Sequence, residues 1–170
     1  MRIRPLSDEY PEYYGRYIHL VPDGEIEETL RTQQTEMMHL VRQVAEETAE
    51  HSYAAGKWTL KEVIGHLADT ERVMSYRMLA IGRGERAPLP VFDQDAYVAA
   101  ATFNAFPLAR LLDDFEAVRV ATISLATTLD EAAWIRRGTV GENVVSARAL
   151  AYIIAGHERH HFTVLRDKYL

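Results

Sequence analysis

The sequence predicts an all-α fold: a four-helix bundle with a long crossover between its second and third helices. Three observations carry that reading. Four long segments repeat apolar residues at i, i+3, i+4 spacing, and no segment sustains period-two alternation. Their ends carry helix start and stop chemistry. The proline-bounded stretch Arg83 to Phe106 then separates the second segment from the third.

The first helix is expected over about Gly24 to Glu50, with Asp23 as N-cap and Glu25, Glu27 and Glu28 suiting the positive end of its dipole. Its stripe includes Ile26, Leu30, Met37, Met38, Val41 and Val44. The second runs from Thr59 to about Ile81. Thr59 and Glu62 form a capping box, and Gly82, Gly84, Pro88 and Pro90 end the segment. The crossover is expected to carry a short helix around Gln94 to Ala101. Pro107 opens the third helix, which continues to about Thr128 on a stripe of Leu108, Leu111, Leu112, Phe115, Val118 and Ile123. Trp134 to Val145 reads as a loop with a short hairpin at Gly138 and Gly141, and Ser146 caps the fourth helix.

The chain has 170 residues, enough for one domain (1–170) with a substantial core. Hydrophobic residues make up 48% and charged residues 26%, ordinary values for a soluble globular protein. The formal net charge of −6, with no long basic stripe, argues against nucleic-acid binding. No apolar run approaches membrane-spanning length, and Met1 to Tyr14 lacks an apolar signal core, so a cytoplasmic location is expected. With no cysteine there are no disulfides, thiolate ligands or cysteine nucleophile; any metal site is built from His, Asp and Glu.

The strongest chemical signal is Gly156-His157-Glu158-Arg159-His160-His161, in the last helix. The apolar stripe there is Leu150, Ile153, Ile154, Val164 and Leu165, and His157 and His161 each fall within roughly 20° of its centre. They stand one helical turn apart, so two imidazoles can face one ion. His160 lies roughly 80° away, at the stripe's edge. A third ligand is expected from another helix. His66 sits two turns inside the second helix, yet roughly 100° off its stripe, on a flank that a bundle can turn toward a neighbour. Asp69, one turn on, can orient a ligand histidine, while a solvated face is the competing reading for Asp69 and Glu71. His19, His39 and His51 have no such company.

His157-Glu158-Arg159-His160-His161 also satisfies the H-E-x-x-H pattern of zinc peptidases. The remainder of the chain argues against that reading. The turn glycine of the extended motif is replaced by Val164, and in a continuing helix Asp167 points about 240° away from His161.

The stretch Gly56-Lys57-Trp58-Thr59-Leu60-Lys61-Glu62-Val63-Ile64-Gly65-His66-Leu67-Ala68-Asp69-Thr70-Glu71-Arg72 resembles the signature of the DinB/YfiT-like superfamily. Phe92-Asp93-Gln94-Asp95-Ala96-Tyr97 and Ala149 to His161 resemble the same family, in the same order. Ala55 departs from it, standing where a proline is expected. The resemblance implies a four-helix bundle, often a homodimer, with a three-histidine divalent-metal site: His66, His157 and His161. Zinc or nickel suits nitrogen ligands best, with iron or manganese as alternatives. It also implies a metal-dependent enzyme that joins a low-molecular-weight thiol, such as bacillithiol or mycothiol, to an electrophilic small molecule. The alternatives are a hydrolase using a metal-bound hydroxide and a non-catalytic metal-binding stress protein. Asp69, Glu71 and Glu158 are the candidate proton carriers; for Trp58 and Tyr97, packing roles are favoured over pocket roles.

Overall fold

The computed structural model describes residues 3–170, so Met1 and Arg2 of the N-terminal stretch lie outside the described residues. Its elements are α1 (Gly15–Ile18), α2 (Ile26–Val41), α3 (Glu46–Ala49), α4 (Leu60–Gly82), α5 (Gln94–Ala100), α6 (Leu108–Thr127), α7 (Glu131–Trp134), β1 (Arg137–Val140), β2 (Asn143–Ser146) and α8 (Ala147–Val164). A π-helical turn, Leu165–Tyr169, ends the chain. The four long helices form the bundle: α4 packs on α6 and α8, and α2 packs on the same two. Around the bundle the order is therefore α4, α6, α2, α8, with the crossover carrying the chain from α4 to α6.

The capping chemistry read from the sequence is present. The Thr59 hydroxyl accepts from the Glu62 amide at 3.1 Å, and the Thr59 amide donates to the Glu62 carboxylate at 2.8 Å. Ser146 Oγ accepts from the Ala149 amide at 3.0 Å and donates to Glu9 at 2.7 Å, fixing α8 while binding the N-terminal segment. β1 and β2 pair antiparallel, Val140 opposite Asn143, with Gly141 at φ 59° in the turn. That backbone favours glycine.

Three expectations need correction. The first helix ends at Val41 rather than near Glu50, and α3 follows as a separate turn. The break lets Glu46 accept from the Leu108 amide at 3.1 Å, at the start of α6, and pair with buried Lys61, which also bonds Glu50 at 2.9 Å. Asp23 does not cap α2; Glu25 holds the N-cap position, and Asp23 pairs with Arg4 at 3.2 Å. Pro107 is the N-cap residue of α6, with the helix beginning one residue later.

The core has two apolar ends. One contains Met74, Met78, Ile123, Trp134, Ile153 and Ile154; the other contains Met37, Leu60, Ile64, Leu112, Phe115 and Leu165. Between them lies a polar layer with one contribution or more from every bundle helix: Gln33, Thr70 and Glu71, Arg119, and His157 and Glu158, all buried. The N-terminal segment, which periodicity leaves unassigned, is laid along α8. Arg148 Nε donates to Glu9 at 2.7 Å, and α1 crosses α8 at Gly156.

That crossing leaves no room for a side chain, because a Cβ on Gly156 would lie 2.0 Å from the carbonyl oxygen of Tyr17. The obstacle is backbone, so relief requires moving α1. Gly156→Ala is expected to cost roughly 1–3 kcal/mol by overpacking, outweighing alanine's helix propensity. Urea unfolding measures the loss, and a variant as stable as the parent contradicts the tight crossing.

Candidate metal centre

His66, His157 and His161 meet in the polar layer. Each offers one ring nitrogen, and the three nitrogens lie within 4.8 Å of one another. His66 Nε2 is 3.1 Å from His157 Nε2. Two nitrogens bound at 2.0–2.1 Å to one tetrahedral ion stand about 3.4 Å apart, so this pair is already near ligand spacing. The Nδ1 of His161 is buried without a hydrogen-bond partner, as fits a group awaiting a ligand. The donor set therefore fits a divalent ion that prefers nitrogen ligands.

Packing fixes the rings. Thr70 Oγ1 lies 3.2 Å from His66 Nδ1, which leaves Nε2 to face the other two histidines. Trp58 covers His66 with ring centroids 4.7 Å apart, and Tyr17 meets His157 edge-on at 5.3 Å. Trp58 is thus a wall of the centre, where the sequence favoured plain loop packing. Burial lowers the pKa of His66 to about 4 and, helped by the nearby imidazoles, that of His161 to about 3. Burial drives His157 well below its ordinary value too. All three are neutral at pH 7, the state that binds metal. His160 is exposed and stands outside the group, as helix phase predicts.

The three carboxylates singled out by the sequence have separate fates. Asp69 does not reach His66; it faces Arg72 at 3.4 Å, whose guanidinium also bonds Asp114. Thr70, the next residue, makes the contact foreseen for Asp69. Glu71 is held by Arg119, with Nε and Nη2 each 2.8 Å from a carboxylate oxygen, and Arg119 Nη1 also donates to the Leu30 carbonyl at 3.1 Å. Glu158 is buried beside His157, and neither of its oxygens has a hydrogen-bond partner. Burial pushes its carboxyl up to about 7, although Arg119 and Arg159 pull the other way. Asp167 is engaged by Arg166 at 2.8 Å, away from the histidines, so the peptidase pattern has no third ligand there.

A cavity of about 220 Å³ reaches His157 and Glu158. Its walls include Tyr13, Tyr14 and Tyr17 from the N-terminal segment and Phe92 and Gln94 from the crossover. Tyr97 is not a wall; it is half exposed and packs on Phe92 at 5.3 Å. A separate cleft bounded by Lys57, Trp58, Asp95 and Tyr169 reaches His161. The centre thus has two approaches.

The DinB superfamily model matches residues 29–165. The chain belongs to the DinB superfamily. An Oceanobacillus iheyensis protein, provisionally named a metal-dependent hydrolase, is 23% identical over 127 residues, covering 74% of this chain and 73% of that one. Bacillus subtilis YfiT, provisionally described as a metal-dependent hydrolase with an unusual four-helix bundle topology, superposes with a TM-score of 0.75. It is 16% identical, with 98% of this chain and 91% of that one covered. A mycothiol-dependent maleylpyruvate isomerase superposes with a TM-score of 0.69 at 19% identity over 86% of this chain; the match spans 61% of that enzyme. The DinB assignment and the four-helix bundle expected from sequence both hold. No helix among the described residues is long and apolar enough to cross a membrane.

Glu158 gives a signed pH prediction for the metal-free protein. Its raised pKa means that the folded state keeps this proton; the associated stability is full below 4.5 and is lost as pH rises through about 7. The histidines act in the opposite sense, costing stability as pH falls below 6.5, and they are common to parent and variant. Between about pH 4 and pH 8, Glu158→Gln should therefore gain on the parent by up to about 3 kcal/mol. Urea melts with chelator present measure it, and a pH-independent difference would mean that burial does not shift the Glu158 carboxyl.

Proposed function

We propose that this DinB-superfamily protein is a divalent-metal-dependent enzyme that transfers a low-molecular-weight thiol to an electrophilic small molecule. The observation that carries the reading is the convergence of three neutral imidazoles, two buried and that of His161 partly so, beside an aromatic-walled cavity that reaches His157. His66, His157 and His161 would hold a divalent ion, which would supply Lewis acidity and so lower the pKa of a water or thiol. The absence of cysteine is compatible with a thiol brought by a cosubstrate. The mycothiol-dependent isomerase shares the fold and shows that it accommodates thiol chemistry in another protein.

The residues of the chain have distinct parts in this reading. Thr70 orients His66, and burial keeps the three rings unprotonated. Glu158 holds a proton near neutral pH next to His157 and is the carboxyl suited to proton exchange with a ligand in the cavity. Glu71 is committed to Arg119, and Asp69 to Arg72, so neither is assigned that part. The same carboxyl, together with the provisional names of two relatives, favours hydrolysis as the second reading.

Untagged protein purified without chelator is expected to carry about one zinc, nickel, iron or manganese per chain by elemental analysis. His157→Ala and His161→Ala should each lose most of it while keeping their helical circular dichroism, and His160→Ala should retain it. A parent protein that refuses added zinc and nickel would sink the metal reading. With the metal in place, a bacillithiol and mycothiol panel against 1-chloro-2,4-dinitrobenzene should give metal-dependent thioether and chloride. Ester or amide cleavage without thioether formation would transfer the assignment to hydrolysis.

A further inference from the structure

Four buried cations occur among the described residues, and three hold carboxylates. Lys61 bonds Glu46 and Glu50, Arg119 bonds Glu71, and Arg148 bonds Glu9. Arg77, only 3% exposed, pairs with no carboxylate. Its Nη2 donates to the Pro90 carbonyl at 2.6 Å, its Nη1 approaches Met74 Sδ at 3.5 Å, and its guanidinium lies 5.4 Å from the Phe92 ring centre. The ionisable groups near it are the phenols of Tyr14 and Tyr97, not carboxylates. A buried guanidinium without a counter-ion carries a desolvation cost that its own fold leaves largely uncompensated.

Arg77 borders a cavity of about 190 Å³ that adjoins the one beside the histidines, the two sharing Tyr14, Met74 and Phe92 as walls. The helices explain the alignment. On α4, His66, Thr70, Met74 and Arg77 fall within roughly 80° of one another, and on α8 so do His157, Ile153 and Leu150. Both helices therefore present one face to the same run of space, with His157 of the histidine centre at one end and an unpaired cation at the other. Eleven residues of helix separate His66 from Arg77, about 16 Å along the axis.

We propose that Arg77 anchors the anionic end, a carboxylate or phosphate, of an elongated substrate whose reacting end lies at the histidine centre. The inference rests on the reading of that centre as the reactive site and adds the substrate class: organic anions with an extended, largely apolar middle. Met74, Ile153 and Phe92 line the middle, and the guanidinium's planar fork matches either oxyanion.

The test is calorimetric binding of octanoate, octan-1-ol and octyl phosphate to the metal-loaded protein, repeated after chelation. Octanoate or octyl phosphate should bind at least tenfold more tightly than octan-1-ol in both forms, and whichever binds more tightly identifies the oxyanion. Arg77→Met should bring the anions down to the level of the alcohol without weakening the alcohol, and Arg77→Lys should keep part of the preference. Circular dichroism checks the fold of both variants, and the lysine variant preserves the test if the methionine variant unfolds. Equal binding of anions and alcohol by the parent, or an undiminished preference in Arg77→Met, overturns the proposal. Failure of the metal reading looks different: no metal is taken up, while the anion preference persists.

Discussion

The buried ion pair between Arg119 and Glu71 is the constraint on which the centre of this bundle depends. Arg119 is wholly buried, yet it satisfies its guanidinium with a bidentate carboxylate on α4 and a backbone carbonyl on α2. Three of the four bundle helices are thereby held in register by one side chain. Such a pair contributes little net stability over an apolar replacement, but removing one partner is costly because the other charge stays buried. The geometry is correspondingly specific. It also decides the fate of the carboxylates: by occupying Glu71 it leaves Glu158, on the fourth helix, as the buried acid without a partner.

This pair belongs to a polar layer that divides the core into two apolar ends. The division explains how a histidine cluster can exist in the interior. Apolar packing above and below supplies the stability, while the layer supplies donors and acceptors that an all-apolar core lacks. Gln33 donates to the Ala155 carbonyl across the bundle at 2.9 Å, and Thr70 meets His66. Desolvation then does chemical work on the imidazoles: by disfavouring their charged forms it keeps them as lone-pair donors over the physiological range.

Helix phase made His157, His161 and the outlying His160 legible, because all three lie on one regular helix whose stripe is unambiguous. His66 was less so. Its position off the α4 stripe is a flank only if the helix has a single buried face; α4 packs on both α6 and α8, and that second contact turns the flank inward. The resemblance to a known family, rather than periodicity, singled out that histidine as a candidate ligand. Asp69 and Thr70 show the limit at finer scale: chemistry favoured the carboxylate, while a one-residue difference in direction gave the contact to the hydroxyl. The N-terminal segment was illegible for a different reason. Its place depends on a missing side chain, at Gly156, and on long-range bonds from Arg148 and Ser146. None of these leaves a periodic trace.

The histidines stand on α4 and α8, whose positions are fixed by the core and by the Arg119 pair. The cavity beside them has walls of both kinds: Leu67, Thr70, Glu71 and Met74 from α4 and Ile153, Ile154, His157 and Glu158 from α8, with Tyr13, Tyr14 and Tyr17 added by the N-terminal segment and Phe92 and Gln94 by the crossover. The walls from outside the bundle are tied to it unequally: Tyr14 and Phe92 pack on the apolar end that contains Met74, and Tyr17 lies against Gly156, whereas Tyr13 is exposed. Exposed wall residues such as Tyr13 and Gln94 can therefore vary with less effect on packing than Tyr14, Tyr17 or Phe92. On the proposed reading of the centre, the groups that select its ligand are these exposed walls and Arg77 of α4, not the histidines.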